Sequence, residues 1–109
     1  MQEAETLALP EMDEDGLIVR PSEWNESVAK ILADQIGIHT LSKDHWKVIY
    51  TLRDYYDEFG VAPAMTNICT AHGKSSNWVH SLFSTCLNAW IVSGLPNPGE
   101  EAKTYLSNR

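Results

Sequence analysis

Positive charge is in short supply in this sequence, and it is unevenly placed. Eight Lys and Arg face fifteen Asp and Glu over 109 residues. Residues 1–26 hold eight of the acids (Glu3, Glu5, Glu11, Asp13, Glu14, Asp15, Glu23, Glu26) against one base, Arg20, whereas residues 27–109 balance at seven of each. Between Phe59 and Gly99 the only formally charged side chain is Lys74. Such a chain is not built to hold nucleic acid or an anionic membrane by charge, since both need Lys and Arg against phosphates. No apolar run approaches the ~20 residues of a membrane span. The start, MQEAETLALP, lacks a basic segment ahead of an apolar one and does not read as a secretory signal, so a cytoplasmic protein is expected. Cysteine is nearly missing: Cys69 and Cys86 stand alone and are expected as reduced thiols. Without a Cys-x-x-Cys pair, thioredoxin-like chemistry is not expected. The four histidines, His39, His45, His72 and His80, have no metal-ligand spacing, and no glycine loop is arranged to cradle a phosphate. No metal and no cofactor is expected.

What is present points to a folded helical protein. Hydrophobic residues make up 43% of the chain, with four Trp and four Tyr, and this length fits one domain over residues 1–109. Residues 1–6 read as a frayed end. Within residues 7–19, two short apolar runs flank Asp13-Glu14-Asp15-Gly16, and Gly16 can take a positive φ, so a small β-hairpin is expected. Pro21-Ser22-Glu23-Trp24 opens a helix with Ser22 as its cap; Trp24, Val28, Ile31, Leu32 and Gln35 keep the helical period, and Gly37 stops it. Ser42 caps a second, strongly amphipathic helix that ends at Gly60. Pro63 fits the first turn of a third, to about His72. After the turn Gly73-Lys74-Ser75-Ser76, a fourth helix is expected over residues 77–92. Residues 94–99, rich in Gly and Pro, form an extended breaker, and residues 100–109 a short helix or mobile end. The class is mainly α, or α+β if the hairpin is counted.

Four features invite a functional reading. Cys86 is either a sulfur acceptor or a small buried apolar residue; Cys69, beside Ile68, reads as core. His72 and His80 flank the 73–76 turn and could reach either thiol, a pairing that would activate a nucleophile. Residues 68–82 match a helix-turn-helix pattern. Cys69 is small enough for close helix approach, Gly73 makes the turn, Val79 and Leu82 anchor the second helix, and Lys74, Ser75, Ser76, Asn77 and His80 would face a groove. Lys74 alone supplies charge for phosphates, which disfavours nucleic acid. Asp13-Glu14-Asp15 reads as a solvated turn rather than a cation site. The last two helices, aromatic and nearly uncharged, would suit a protein partner.

Several motifs, in order along residues 7–98, resemble the DsrC/TusE family of sulfite-reductase gamma subunits and tRNA-thiolation sulfur carriers. They are Asp13-Glu14-Asp15-Gly16 with Trp24; Leu41-Ser42-Lys43-Asp44-His45-Trp46; Leu52-Arg53-Asp54-Tyr55-Tyr56 running on to Ala62-Pro63-Ala64; Trp78 to Leu82-Phe83; and Gly94-Leu95-Pro96-Asn97-Pro98. Residues 41–64 carry the densest match. The resemblance implies a small orthogonal helical bundle with an N-terminal β-hairpin and an extended C-terminal arm, residues 94–109.

Members of that family work through the arm, whose penultimate cysteine carries a persulfide or joins a trisulfide; some have a second cysteine upstream. Counted from Gly94, the upstream position falls at Trp90 and the penultimate one at Glu101, and neither is a thiol. Family basic positions are Thr66 and Thr70 here. The basic loop is shortened to Gly73-Lys74-Ser75-Ser76, and Ser84-Thr85-Cys86-Leu87-Asn88 replaces a Pro- and Lys-rich stretch. The cations that would steady a thiolate or persulfide are almost gone, with Lys74 alone left between Phe59 and Gly99. No catalytic residue carries over. The expected function is that of a non-catalytic binding or regulatory variant on a sulfur-relay or sulfite-reductase partner. The alternatives are a sulfurtransferase using Cys86 and a helix-turn-helix DNA-binding regulator.

Overall fold

The computed structural model describes residues 9–109; the expectation of a frayed end at residues 1–6 lies outside them. Among the described residues six α-helices follow one 3-10 turn: the turn Pro21–Glu23, α1 Glu26–Gln35, α2 Lys43–Phe59, α3 Met65–Ala71, α4 Trp78–Phe83, α5 Cys86–Val92 and α6 Glu100–Ser107. The expected β-hairpin shrinks to a turn closed by one antiparallel bridge, Met12 to Ile18, and no strand forms among the described residues. Asp13 explains the compactness. Its Oδ1 accepts from the amides of Asp15 and Leu17, both at 2.9 Å, so the side chain substitutes for ladder partners.

Local chemistry sets most helix ends. Ser22 does not cap α1: it lies inside the 3-10 turn, and Asn25 caps instead, its Oδ1 accepting from the Val28 amide at 2.9 Å. Ser42 caps α2 as expected. The His45 amide donates to Ser42 Oγ at 3.3 Å and the Ser42 amide donates to His45 Nδ1 at 3.0 Å, a reciprocal capping box. Gly60 ends α2 at φ 70°. Pro63 lies just before α3 rather than in its first turn, for Ala64 is the cap.

The largest departure is the fourth helix, which is two. Ser84 takes φ 73° and breaks the run, and the Thr85 hydroxyl then caps α5 by accepting from the Asn88 amide at 3.0 Å. Asn88 Nδ2 donates back to the Phe83 carbonyl at 2.9 Å, satisfying an end of α4. The break turns α5 into the hub of the fold, in contact with α1, α2, α4 and α6. Its Ala89, Trp90 and Val92 are wholly buried.

Gly94 turns the chain out of α5 and residues 95–99 have no regular secondary structure, but the segment beyond them folds as α6 and packs on α5 through fully buried Leu106. Three groups hold this stretch down. Trp24 Nε1 donates to the Val92 carbonyl at 2.9 Å and Trp90 Nε1 to that of Pro96 at 2.8 Å. The half-buried Arg53 donates to the carbonyls of Ser93 at 2.7 Å, Gly94 at 3.1 Å and Pro21 at 3.3 Å, its guanidinium 4.1 Å from the Trp24 ring centroid.

Candidate functional site

The turn between α3 and α4 and the end of α6 meet beside Cys86. The Gly73 amide donates to the Thr70 carbonyl and the Lys74 amide to that of Cys69, both at 2.9 Å, with Gly73 at φ 69°. That tight return brings Ser76 and Asn77 back against α3. Cys69 Sγ donates to the Ser76 carbonyl at 3.6 Å and fills the gap between the helices as a small core residue. On the α6 side, the Tyr105 hydroxyl accepts from the Met65 amide at 3.0 Å, giving the start of α3 the cap that Ala64 cannot supply. Between these elements lies a cavity of about 400 Å³ lined by Met65, Thr66, Ser76, Asn77, His80, Cys86 and Arg109.

Four of the sequence-predicted residues, Ser76, Asn77, His80 and Cys86, therefore share one cavity, and two do not line it. Lys74 holds its ammonium 5.7 Å from the Trp78 ring centroid, and Ser75 bonds Asn77 in the turn. The polar positions of the helix-turn-helix pattern are exposed, but α4, which would enter a groove, is only six residues long.

The thiol is poorly set for chemistry. Cys86 is 3% exposed. Burial pushes its pKa up to about 11, with neighbouring Cys69 adding to the rise and the Arg109 charge opposing it. A nucleophilic or sulfur-carrying cysteine needs the reverse, a stabilised thiolate. Its Sγ donates to the Arg109 main-chain oxygen at 3.7 Å, and the same oxygen takes a hydrogen bond from His80 Nδ1. His80 and Cys86 thus share an acceptor. Among the described residues neither thiol is hydrogen-bonded to a histidine.

His72 and His45 are bound into the fold. The Thr51 hydroxyl donates to the Lys47 carbonyl at 2.7 Å, so Thr51 Oγ1 must accept from His72 Nε2 at 2.9 Å. His45 uses Nδ1 in the α2 capping box, which leaves the proton on Nε2 to bond the Leu82 carbonyl at 2.9 Å. Its ring also meets that of Phe83 edge-on, with centroids 5.0 Å apart. His45 thereby ties the start of α2 to the end of α4, a role no local sequence signal reveals.

The acidic turn also serves the fold. Burial acts to raise the Asp13 carboxyl, but hydrogen bonds from the Leu17 and Asp15 amides and from Asn97, with the Lys103 charge, outweigh it and hold the carboxyl below its ordinary value. Lys103 Nζ bonds Asp15 at 2.6 Å and Glu100 at 3.0 Å, tying α6 to the turn. Among the described residues no cluster of three or more His, Cys, Asp or Glu is placed to hold a metal ion.

A family model described as DsrC like protein matches residues 7–100. The chain belongs to the DsrC-like family. Its likeness to DsrC-like proteins extends to sequence and structure alike. Sulfurtransferase TusE of Shigella dysenteriae serotype 1 is 33% identical over 97 residues, covering 81% of this chain and 88% of that protein. A sulfurtransferase TusE homolog of Haemophilus influenzae is 31% identical over 99 residues, covering 83% and 90%. Among solved structures, dissimilatory sulfite reductase I (DsrI) superposes with a TM-score of 0.76 at 33% identity, over 83% of this chain and 88% of the other. The oxidised gamma subunit of the dissimilatory sulfite reductase (DsrC) from Archaeoglobus fulgidus gives 0.74 at 30% identity, over 84% and 90%. The chain thus has a fold like that of the sulfite reductase gamma subunit, and no helix among its described residues is long and apolar enough to cross a membrane.

Proposed function

We propose that this DsrC-like chain is a binding or regulatory protein that docks on a partner of a sulfur-relay or sulfite-reductase system without itself carrying sulfur. The state of its thiols carries the reading. Cys69 and Cys86 are both buried, Cys86 is pushed toward the neutral thiol, and no cysteine stands between Leu87 and Arg109. The relatives named sulfurtransferase and sulfite reductase supply the partner class. Two free thiols suit a reducing, cytoplasmic setting. Nucleic acid is the weaker partner class, because Lys74 is the only cation between Phe59 and Gly99 and its ammonium lies over Trp78.

The second reading, a sulfurtransferase that loads Cys86, draws on one observation: the thiol borders a cavity also lined by His80 and Arg109. A reconstituted transfer reaction between a cysteine-bearing carrier of the TusE type and its acceptor separates the two. An excess of this chain should slow transfer while its own mass stays constant. Gain of sulfur by the chain would establish the carrier, and no slowing at large excess would remove docking on that system.

A further inference from the structure

The outer face of α2 carries its charges in an ordered row. Lys43, Lys47, Tyr50, Asp54 and Asp57 follow one another in alternating steps of four and three residues. That spacing sets them in one stripe along a helix. All five are exposed, and at 1.5 Å per residue the stripe is about 21 Å long. Its sign reverses at the middle: two lysines, then Tyr50, then two aspartates. This order opposes the macrodipole, which favours acids at the start of a helix and bases at its end. Asp54 and Asp57 have a use inside the molecule, for they line a cavity with Arg53, Pro21, Ser22 and Leu95 and favour the Arg53 charge. The lysines have no comparable use. Lys43 joins no ion pair among the described residues, and Lys47 reaches only Asp44, at 3.8 Å on the surface.

We infer that α2 pairs with α2 of a second copy of the chain, antiparallel, about a two-fold axis at Tyr50. Lys43 then faces Asp57 of the other copy, Lys47 faces its Asp54, and the two Tyr50 rings meet at the axis. Tyr50 is 40% exposed, and its hydroxyl donates to Glu26, which fixes the ring. Trp46 stacks on that ring with centroids 6.1 Å apart and widens the apolar centre. Charge selects this occupant. The stripe is neutral in sum, so half of it would repel a uniformly basic or uniformly acidic segment, and half would repel an anionic membrane. A parallel copy would set like charges together. The same helix reversed supplies the complementary order, and does so for both copies at once, as a two-fold contact requires. The inference goes beyond the docking reading and does not depend on it.

Sedimentation of the full chain over a range of concentrations should show a monomer–dimer equilibrium that weakens as salt rises. Lys43→Glu with Lys47→Glu makes the stripe wholly acidic, and Asp54→Lys with Asp57→Lys makes it wholly basic. Each double variant alone should weaken the dimer by about tenfold or more through like-charge contacts, and mixing the two should restore a heterodimer. A second test spares the aspartates beside Arg53 from charge reversal. Under mild oxidation, Lys43→Cys chains mixed with Asp57→Cys chains should cross-link to each other, and neither should cross-link to itself. A chain that stays monomeric at every concentration would overturn the inference. So would a dimer that the acidic variant leaves intact, or Lys43→Cys chains that join one another. A monomer that still slows sulfur transfer would sink the pairing and leave docking standing. A dimer with the expected cross-link that leaves transfer untouched would sink docking alone.

Discussion

Gly94→Ala should be among the most damaging single-methyl additions in this protein. Gly94 sits at φ 67°, where a side chain is strained, and a Cβ built on it would lie 2.0 Å from Trp24 Cδ1, 2.4 Å from Cγ and 2.7 Å from Cβ. The indole cannot retreat freely, because its Nε1 bonds the Val92 carbonyl and Arg53 stacks on its face. The left-handed backbone costs about 1–2 kcal/mol and the forced overlap about 1–3 kcal/mol. Their sum, about 2–5 kcal/mol, is a large share of the ~5–15 kcal/mol that holds a typical domain folded. Gly60→Ala is the control, since Gly60 has φ 70° and nothing within 4 Å of its Cβ position. It should show only the backbone cost, about 1–2 kcal/mol. Urea denaturation of both variants gives the difference. Trp24→Ala should recover part of the extra loss at Gly94, since contacting residues do not add independently. Equal losses at Gly94 and Gly60 would refute the packing of the 92–97 segment on Trp24.

Other outcomes follow from the same contacts. Arg53→Met should cost about 1–3 kcal/mol in urea melts by leaving buried carbonyls without a donor, and Arg53→Lys should not rescue it, because an ammonium lacks the planar fork that reaches several carbonyls at once. Leu106→Ala should cost about 2–5 kcal/mol; a loss under ~0.5 kcal/mol, the scale of an exposed position, would show that α6 is not core. Cys86 contributes a pH dependence. Its pKa is raised on folding, so its stabilisation is full below the ordinary thiol value of ~8.5 and is lost as pH rises toward about 11. Melts over that window should fall more steeply for the unaltered chain than for Cys86→Ala.

The legible parts of the fold were those set by neighbouring residues. Ser42 with His45, and Gly60 in the left-handed region, bound α2 by short-range chemistry, and the dense motif over residues 41–64 lies on that helix and its exit. Other boundaries involved competition. Ser22 and Asn25 are both good caps, and Pro21 pulled Ser22 into a 3-10 turn. The break at Ser84 hid inside an unbroken apolar pattern because a serine, not a glycine, takes the positive φ; the following Thr85, a cap type, was the available signal. Of the candidate site, the meeting of Ser76, Asn77, His80 and Cys86 depends on that break and on where α6 docks. Both are set by tertiary packing around Trp90 and Leu106 and not by local sequence.

The most direct test of the proposed function is to incubate the native chain with a persulfide donor, alkylate it and read the intact mass. A binding or regulatory protein with buried thiols should gain no sulfur, and both cysteines should label only after unfolding. Gain of one sulfur mapped to Cys86 under native conditions would contradict that function and make the chain a carrier.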